Sequence, residues 1–363
     1  MRITFIMANP YMSGGDRVCA IYAQKLADLG HTVNIIAPKK RFVGIKTQVK
    51  RLLKGQSWLS KAEQKQNHFY LLGLEVIYAD KYSPIENTFV PDADVVIATW
   101  WETAEWVFDF SKEKGKKVYF IQHHEIHPGQ PIERVKETYL LPFYKVTIAN
   151  WLVSIMTNKY DSKDVFLVPN SVEHEMFYAN ARTKQSNPTI GFLFSENVFK
   201  GVIDSLQVIA NLKIKIPNLR VIAFGTHAPE TIDLPDYIEL TVSPAQDDIR
   251  LLYQQCDLWL CCSLNEGFGL TILEAMACRT PAVSTKCGGP EDIITEDVNG
   301  YLCEVNDIES LTAAANKILG FDNQEWLSFS EQAYKHATDY TWTDAAKLFE
   351  ISLKSILAKS EES

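Results

Sequence analysis

The stretch "LWLCCSLNEGFGLTILEAMACRTPAVSTK", residues 258–286, predicts in order a strand, a glycine-rich turn, a helix and a second strand. Its first apolar run is short, as expected of a buried strand, and ends at Ser263. The turn contains two glycines, and the helix is predicted to begin near Leu270 or Thr271. A strand, a helix and a strand in this order are typical of a parallel sheet covered by helices.

The same alternation of short β-branched runs with helical patterns continues along the chain. In the first half we predict a helix over residues 18–29 and strands over residues 3–8, 32–37, 74–79, 94–99, 117–122, 145–149 and 165–168. In the second half the predicted strands are "TIGFLF", "LRVIAFG", "YIELTV", "LWLCCS", "PAVSTK" and "GYLCEV". The sequence therefore predicts an α/β protein with two similar parallel sheets in succession.

The chain of 363 residues has room for two domains that each bury a core of their own. The polar stretch "NARTKQSNP", residues 180–188, predicts a linker between about 172 and 188, so that the domains are 1–172 and 173–363. The last helical segment has one apolar face, which we expect to be buried, with the first domain as a candidate partner. That face consists of Ala345, Ala346, Leu348, Phe349, Leu353 and Ile356.

The charges are divided unevenly between the two halves. Residues 1–172 contain 22 Lys and Arg against 17 Asp and Glu, a net charge of +5, whereas residues 173–363 contain 14 against 28, a net charge of −14. Hydrophobic content of 46% with 22% charged residues argues against disorder. A net charge of −9, with no basic stretch interleaved with stacking aromatics, argues against nucleic-acid binding.

The seven cysteines are an odd number and form no C-x-x-C pair, so we interpret them as buried free thiols in a reducing compartment. The N-terminal "MRITFIMANP" is interpreted as a first strand rather than a signal peptide, because its apolar run is too short. No apolar run approaches the roughly 18 residues of a membrane span. These patterns predict a cytoplasmic protein, with peripheral attachment to the inner face of the membrane as an option.

The option of membrane attachment depends on residues 39–55, "KKRFVGIKTQVKRLLKG", which contain seven basic residues and no acidic one. Its apolar side chains, Phe42, Ile45, Val49, Leu52 and Leu53, lie near one face if the segment is helical. This composition is typical of an interfacial helix on an anionic membrane surface. A solvated surface helix is the alternative, and Gly44 weakens the prediction of a helix.

Two glutamates, Glu266 and Glu274, stand eight positions apart around the glycine turn. The N-terminus of the predicted helix favours an anion such as a phosphate. Carboxylates beside it suit a ligand that is part anion and part polyol, because they accept hydrogen bonds from vicinal hydroxyls. The alternative is that both are structural, one solvated in the loop and the other stabilising the helix dipole.

The segment "NEGFGLTILEAMACRTPAVSTKCGGPEDIITEDVNGYLC" closely resembles the donor-site signature of glycosyltransferase family 4. Weaker similarity covers most of the chain, in "GGDRVCAIYAQKLADLGHTVNII", "NWLVSIMTNKY", "VFLVPNSVEHEMF" and "LLYQQCDLWLCCS". The resemblance implies a GT-B fold, in which two Rossmann-like domains face each other across a cleft. It also implies a retaining enzyme that uses a nucleotide-sugar donor.

The resemblance assigns a role to each matching position. Glu266 is expected to contact the transferred sugar and Glu274 the donor ribose. The turn and helix start between them are expected to hold the diphosphate through backbone amides; this segment comprises Gly267, Phe268, Gly269, Leu270 and Thr271. Gly14 and Gly15 match a glycine loop of the first domain that approaches the donor or acceptor.

The sequence departs from the family pattern at two positions. Family members commonly carry an Arg and, about five residues later, a Lys-Gly pair that neutralise the diphosphate. Here Lys200 and Gly201 are present, but Ser195 stands at the Arg position, which weakens the expected grip on phosphate. Arg279 occupies a position where glycine is frequent; we expect a solvated side chain, with charge for the donor site as the alternative.

Other candidate residues follow strands of the first domain. "VYFIQHHEIHPG" offers His123 as the first candidate to contact the sugar or leaving group and His124 as the second, with a structural role as the alternative. Zinc binding with His127 is a poor match, because the spacing lacks a partner cysteine or carboxylate. Trp100 and Trp101 are candidates for an acceptor pocket, although buried packing fits them equally.

Asp92 and Asp94 form a D-x-D arrangement, but it precedes a strand and therefore lies at the wrong end of the sheet for a metal site. We predict metal-independent transfer without a cofactor. The expected reaction is retaining transfer of a hexosyl or deoxyhexosyl unit to a glycan or lipid-linked acceptor, in cell-surface polysaccharide synthesis. The alternatives are a related epimerase or phosphorylase, and a non-catalytic sugar-nucleotide-binding subunit.

Overall fold

The structure is a computed structural model that describes residues 1–53, 58–60, 64 and 66–359. The chain forms two compact units. Unit 1 comprises Met1–Ile148, Leu152–Val168 and the C-terminal segment from Trp342. Unit 2 comprises Ala149–Trp151 and Pro169–Thr341.

Unit 1 is built on a seven-stranded parallel sheet in the order β3-β2-β1-β4-β5-β6-β7. In the register of the sheet, Ile3 on β1 lies opposite Val33 on β2 and Val95 on β4. The central strands are buried on both faces, as a parallel sheet between helical layers requires. The strands are β1 (Arg2–Ile6), β2 (Thr32–Ala37), β3 (Val76–Tyr78), β4 (Val95–Ala98), β5 (Lys116–Ile121), β6 (Tyr144–Thr147) and β7 (Val165–Leu167).

The first helix of unit 1 begins where a polar side chain satisfies one of the first amide groups. Ser13 caps the first helix, its hydroxyl accepting a hydrogen bond from the Asp16 amide. The helices are α1 (Gly14–Asp28), α2 (Ile45–Leu53), α3 (His68–Leu71), α4 (Trp101–Phe108), α5 (Ile132–Leu140) and α6 (Asn150–Tyr160, in unit 1 from Leu152), with 3-10 turns at Asn87–Phe89 and Lys112–Lys114.

The C-terminal helix α13 (Trp342–Ala358) packs on α1 within unit 1. Tyr22 on α1 meets Trp342 and Phe349 edge to face, with ring centroids 5.3 and 5.0 Å apart. Nε2 of His31 lies 2.9 Å from a carboxylate oxygen of Glu350. The first domain, which the sequence offered as a candidate partner for this apolar face, is the one that the helix packs on.

Unit 2 repeats the architecture with a six-stranded parallel sheet in the order β10-β9-β8-β11-β12-β13. Its strands are β8 (Thr189–Leu193), β9 (Arg220–Gly225), β10 (Ile238–Val242), β11 (Leu258–Cys261), β12 (Ala282–Thr285) and β13 (Gly300–Cys303). Its helices are α7 (Val202–Lys215), α8 (Gln246–Gln254), α9 (Leu270–Ala277), α10 (Pro290–Ile293), α11 (Ile308–Gly320) and α12 (Asn323–Thr338), with a 3-10 turn at Val198–Lys200. One hydrophobic core lies between the sheet and α7 and α11.

The chain passes from unit 1 to unit 2 at residues 168–169, before the predicted linker at about 172–188. The polar stretch 180–188 belongs to unit 2 because its side chains bond to buried groups. Arg182 donates to the Cys256 carbonyl and to the Thr280 hydroxyl, and the Lys184 ammonium donates to the Phe321 carbonyl at 2.9 Å. The predicted domain boundary at 172–173 also differs from the structure in placing the C-terminal helix with the second domain.

All seven cysteines are buried as free thiols. Six of them lie in unit 2, where burial raises the pKa of each thiol, for example that of Cys256 to about 12. In the part of the chain that the structure describes, no helix is both long and apolar enough to cross a bilayer.

Candidate active site

The loops that follow β8 and β11 form the centre of the candidate site in unit 2. These strands are neighbours in the sheet, although two strands, β9 and β10, come between them in the sequence. The chain therefore reverses its direction of progress across the sheet between them, and ligands of open α/β sheets bind at the carboxyl ends of strands at such a point. Lys200 follows β8, and Glu266 follows β11.

Glu266 receives two hydrogen bonds at one carboxylate oxygen. The Lys200 ammonium donates to it at 2.7 Å, and the Ser263 hydroxyl donates at 2.8 Å. Partial burial alone lowers the pKa of Lys200, but the charge of Glu266 and this hydrogen bond raise the pKa above its usual value. Lys200 is therefore a persistent cation, 31% exposed, and Glu266 is held by fixed donors on one side.

The two loops can meet because the backbone approaches itself closely at Gly201. This residue has φ +58°, and a Cβ there would lie 1.8 Å from the Cys262 carbonyl oxygen. Any side chain would therefore displace the Lys200 loop from the end of β11. The Glu266 backbone is fixed in turn, since its amide donates to the Cys287 carbonyl at 2.9 Å.

Helix α9 begins immediately after this loop with its N-terminus facing the carboxyl end of the sheet. The residue before it, Gly269, has φ +100°, a conformation that glycine adopts without strain. Gly269 contributes no side chain to cap the amides of Leu270 and Thr271, so the positive end of the helix is available to an anion. Thr271 lines the same small cavity, about 10 Å³, as Lys200 and Glu266.

Trp151 supports the other side of the turn, where its indole N–H donates to the Gly267 carbonyl at 2.9 Å. Phe268 points inward and is 7% exposed. The turn from Gly267 to Gly269 is thus held by the hydrogen bond from Trp151 at one end and leads directly into α9 at the other. The predicted donor-binding residues of this turn therefore lie together at the start of α9.

Glu274, one turn further along α9, is 7% exposed and accepts a hydrogen bond from the Tyr253 hydroxyl at 2.9 Å. Tyr253 lies on α8 and is fully buried. This hydrogen bond holds the Glu274 carboxylate in one orientation. This burial and fixed orientation distinguish Glu274 from the alternative, a first-turn glutamate that only stabilises the helix dipole.

Ser195 and Arg279, the two departures from the family pattern, have separate structural roles. The Ser195 hydroxyl accepts from the Asn197 amide at 3.2 Å and so shapes the loop before Lys200. Arg279 is 9% exposed, pairs with Glu331 and stacks on the Tyr334 ring at 4.0 Å. The expectation of a solvated Arg279 is wrong, because its φ of +62° directs this residue into contact with α12.

In unit 1 the glycine loop begins α1. The Gly15 carbonyl accepts from the Gln122 side chain at 3.1 Å, and a Cβ on Gly15 would meet that side chain at an ordinary 3.7 Å. A Cβ on Gly14 would meet no atom of the described residues within 4 Å. Packing therefore does not require glycine at position 14, and the space beside its backbone is open.

The two histidines after β5 occupy different environments. His124 is 9% exposed, and its Nε2 lies 2.9 Å from the Tyr160 hydroxyl. Burial, aided by the charge of Lys159, lowers the pKa of His124 to about 4, so its ring is neutral. His123 is partly exposed, at the end of the strand, and His127 contacts the carboxylate of Glu125 at 3.1 Å.

Trp100 and Trp101 also differ. Trp101 is 3% exposed, its indole N–H donates to Gln130 at 3.1 Å, and the Arg134 guanidinium lies over its ring at 4.9 Å. Trp100 is partly exposed just before α4, with its amide bonded to the Thr103 hydroxyl. Trp101 is thus a packing residue, and Trp100 presents an accessible aromatic surface.

Asp94 precedes β4 and binds Arg2, whereas Asp92 pairs with Lys114 at 2.9 Å. Both carboxylates lie at the amino end of the sheet, as the sequence predicted. Among the described residues no group of three or more His, Cys, Asp or Glu is arranged to hold a metal ion.

Sequence reasoning missed the three residues that fix the two glutamates and their turn. Ser263 lies two residues after the end of β11, and its position three residues before Glu266 is the signal that the sequence offered. Tyr253 and Trp151 are distant in sequence from their partners, at separations of 21 and 116 residues. Only the packed structure identifies these two.

Comparison with known proteins finds similarity to glycosyltransferases in part of the chain. Residues 182–336 match the family model described as glycosyl transferases group 1. A D-inositol 3-phosphate glycosyltransferase of Corynebacterium urealyticum is 30% identical over 192 residues, which cover 49% of this chain and 45% of that protein. The alignments span about half or less of the length of the curated relatives at the top of this comparison.

Solved structures match over nearly the full chain. The sucrose-phosphate synthase of Thermosynechococcus elongatus has a TM-score of 0.76 at 14% identity, covering 99% of this chain and all of that one. HepE of Anabaena, in complex with UDP and glucose, has a TM-score of 0.73 at 15% identity, covering 98% and 100%. These likenesses establish the two-domain GT-B fold, and residues 182–336 are similar to the glycosyl transferases group 1 family.

Proposed function

We propose that the protein is a retaining glycosyltransferase that moves a hexosyl or deoxyhexosyl unit from a nucleotide-diphosphate sugar to a glycan or lipid-linked acceptor. One observation carries the proposal: the Lys200–Glu266 ion pair lies at the carboxyl ends of β8 and β11, beside the uncapped N-terminus of α9. This arrangement offers a cation and helix amides to a diphosphate and a carboxylate to sugar hydroxyls. The family match and the UDP complex of HepE support the same donor class.

The donor is oriented by groups that the structure already holds in place. The diphosphate lies against the amides of Leu270 and Thr271, with Lys200 between it and Glu266. The Glu274 carboxylate, held in orientation by the Tyr253 hydroxyl, accepts hydrogen bonds from the ribose hydroxyls. Glu266 accepts from hydroxyls of the transferred sugar, and its charge stabilises the positive charge that develops on that ring.

In the transfer step an acceptor oxygen bonds to the anomeric carbon on the face that the diphosphate leaves. The carbon–oxygen bond to the diphosphate breaks, and the departing phosphate oxygen takes the acceptor proton. Lys200 and the α9 amides stabilise the leaving charge. The products are the glycoside with retained configuration and the nucleoside diphosphate.

We assign further substrate contacts to residues of unit 1. Gly14 and Gly15 offer a backbone that a ligand can approach, His123 is the candidate to hydrogen-bond the sugar or leaving group, and Trp100 is the candidate surface for an acceptor ring. His124 and Trp101 are buried and bonded to unit 1 side chains, so we assign them structural roles.

The proposal is tested by measuring nucleoside diphosphate binding and then product configuration. Thermal shift across nucleoside diphosphates should show stabilisation that Lys200→Met reduces and that Ser195→Arg increases. Proton NMR of the product should show the donor's anomeric configuration. Nucleoside diphosphate binding without turnover on any acceptor would support the non-catalytic alternative, and a changed free sugar nucleotide would support the epimerase.

Metal independence is a separate proposal. Because Lys200 and the α9 amides supply positive charge to the diphosphate, chelation by EDTA should leave the transfer rate unchanged. A loss of activity that Mg²⁺ or Mn²⁺ restores would contradict this.

We also propose that α2 contacts an anionic membrane surface. Ile45, Leu52 and Leu53 on this helix are 74%, 50% and 82% exposed, while Lys50 and Arg51 lie in its last turn; residues 54 and 55 of the predicted segment lie outside the described residues. Exposed apolar side chains beside basic ones suit the interface of an anionic bilayer. Cosedimentation with vesicles should rise with phosphatidylglycerol content, and Leu52→Glu should abolish it while the matched surface variant Leu140→Glu does not.

A further inference from the structure

Unit 2 contains a second cavity, of about 330 Å³, apart from the small space beside Lys200. Its walls come from the start of α6, residues 169–171, the turn before α9, the short helix α10 and the end of α12. All of its lining residues belong to unit 2. The volume is at the lower end of small-molecule sites, roughly 300–1,000 Å³.

One wall carries a buried acceptor that the protein does not satisfy. Asn170 lines the cavity and is 2% exposed, yet its side-chain oxygen has no hydrogen-bond partner among the described residues. Buried polar oxygens are nearly always bonded, and leaving one unpaired costs about 1–3 kcal/mol. A ligand that donates a hydrogen bond here would remove this cost.

The other polar groups of the cavity are also mainly acceptors. Asp292 accepts from the Asn150 amide at 2.7 Å and from its side chain at 3.1 Å, which fixes the carboxylate at the cavity wall. Asp339 adds a second carboxylate at the end of α12. Partial burial lowers the pKa of His336 on the same wall, so its ring adds little positive charge at neutral pH. Two carboxylates repel anions and favour a ligand rich in donors.

The remaining wall is apolar and includes Phe268, Leu273 and Ile293. Hydroxyl donors on one side and a flat apolar surface on the other are the features of a sugar ring. We propose that this cavity is a binding site for a small neutral hydroxylated molecule of mono- or disaccharide size. Its hydroxyls would donate to Asn170, Asp292 and Asp339.

The cavity shares two residues with the elements of the candidate active site. Phe268 precedes Gly269 in the turn, and Leu273 precedes Glu274 on α9. A molecule in the cavity therefore contacts the opposite side of the turn and helix that carry the donor-binding groups. This prediction rests on the proposed function: a molecule in the cavity should raise the affinity for a nucleoside diphosphate about fivefold. Linkage requires that the nucleoside diphosphate raise the affinity of the cavity by the same factor.

Ligand-observed NMR on the full chain tests the site, with glucose and maltose as probes and glucose 6-phosphate as their anionic counterpart. Wild type with saturating UDP should show saturation transfer to the neutral sugars and at least tenfold weaker binding of the phosphate. Ala337→Phe, which fills the cavity, should abolish the signal, and Asp339→Asn at an exposed position should weaken it several-fold.

The control is Glu266→Gln, which alters the candidate active site and should leave the sugar signal intact. Loss of the signal in Glu266→Gln with retention in Ala337→Phe would place the sugar in the active site and overturn the proposal. Equal binding of glucose 6-phosphate, or no binding of any probe, would overturn it as well. If wild type fails to bind any nucleoside diphosphate but still binds glucose through Asp339, the proposed function fails while this site stands.

Discussion

The two sheets place their site residues on equivalent loops but equip them differently. In unit 1 the loops after β1 and β4 carry open glycine backbone and the aromatic ring of Trp100. In unit 2 the loops after β8 and β11 are joined by the Lys200–Glu266 ion pair. The same strand order therefore fixes where a ligand can lie, and side chains decide which ligand it is.

The charge difference sharpens this comparison. Residues 173–363 carry a net charge of −14, although this half contains the candidate site for an anionic diphosphate. Lys200 and the N-terminus of α9 must therefore offset the repulsion between this negative half and the diphosphate. Residues 1–172, with a net charge of +5, do not repel an anion in this way. Variants in each unit should therefore change different kinetic constants.

The largest effect is expected for Glu266→Gln. Removing this charge beside the developing positive charge of the sugar should lower kcat by about 10²–10³-fold. Steady-state transfer assays measure the change, and thermal melting checks that the fold persists. Glu304→Gln, which removes an exposed unit 2 carboxylate paired with Lys286, is the matched control, and a near-normal rate in Glu266→Gln would reject the assigned role.

Tyr253→Phe removes only the hydroxyl that orients Glu274. Because hydrogen bonds to charged groups contribute about 1.5–3 kcal/mol, we expect donor KM to rise about tenfold with a smaller change in kcat. A purely structural role would instead lower melting temperature and leave donor KM unchanged. Tyr301→Phe, which also removes a hydroxyl bonded to a carboxylate in unit 2, should leave donor KM as in wild type.

Trp100→Ala tests the unit 1 side of the comparison. Loss of an aromatic surface for a sugar ring, worth about 0.5–1.5 kcal/mol, should raise acceptor KM about two- to thirteenfold and leave nucleoside diphosphate affinity unchanged. Initial rates at varied acceptor, together with calorimetry of the nucleoside diphosphate, measure both. Weaker nucleotide binding with unchanged acceptor KM would reverse the assignment.

The smallest effect concerns Asp16 beside the glycine loop. Burial raises the pKa of this carboxyl to about 6, despite hydrogen bonds from Ser13 and Tyr11. The folded state therefore binds a proton that the unfolded chain, with a pKa near 3.8, releases, so this group's contribution to stability falls as pH rises through about 6. When the pH is lowered from 8 to 5, the melting temperature of wild type should rise by roughly 2–4 °C relative to that of Asp16→Asn. A constant difference would show that Asp16 does not titrate in this range.

Most secondary structure was predictable, because short apolar runs separated by turn residues define the strands of parallel sheets. The predicted strand over residues 32–37 matches β2, and the others agree within about two residues at each end. The polar stretch 180–188 misled the linker prediction, since hydrophilic composition does not reveal that Arg182 and Lys184 bond to buried carbonyl groups. The prediction of a solvated Arg279 failed for the same reason, because its partner Glu331 on α12 is 52 residues away in the sequence.

The sequence by itself determined the α/β class, the glycine turn and the two glutamates around it, because local periodicity and turn chemistry depend on neighbouring residues. The tertiary structure alone decided which side chains orient each glutamate, which aromatic residues are accessible, and that Asn170 lines a second cavity. Those facts depend on contacts between residues far apart in the chain, and packing brings such residues together in ways that no local pattern records.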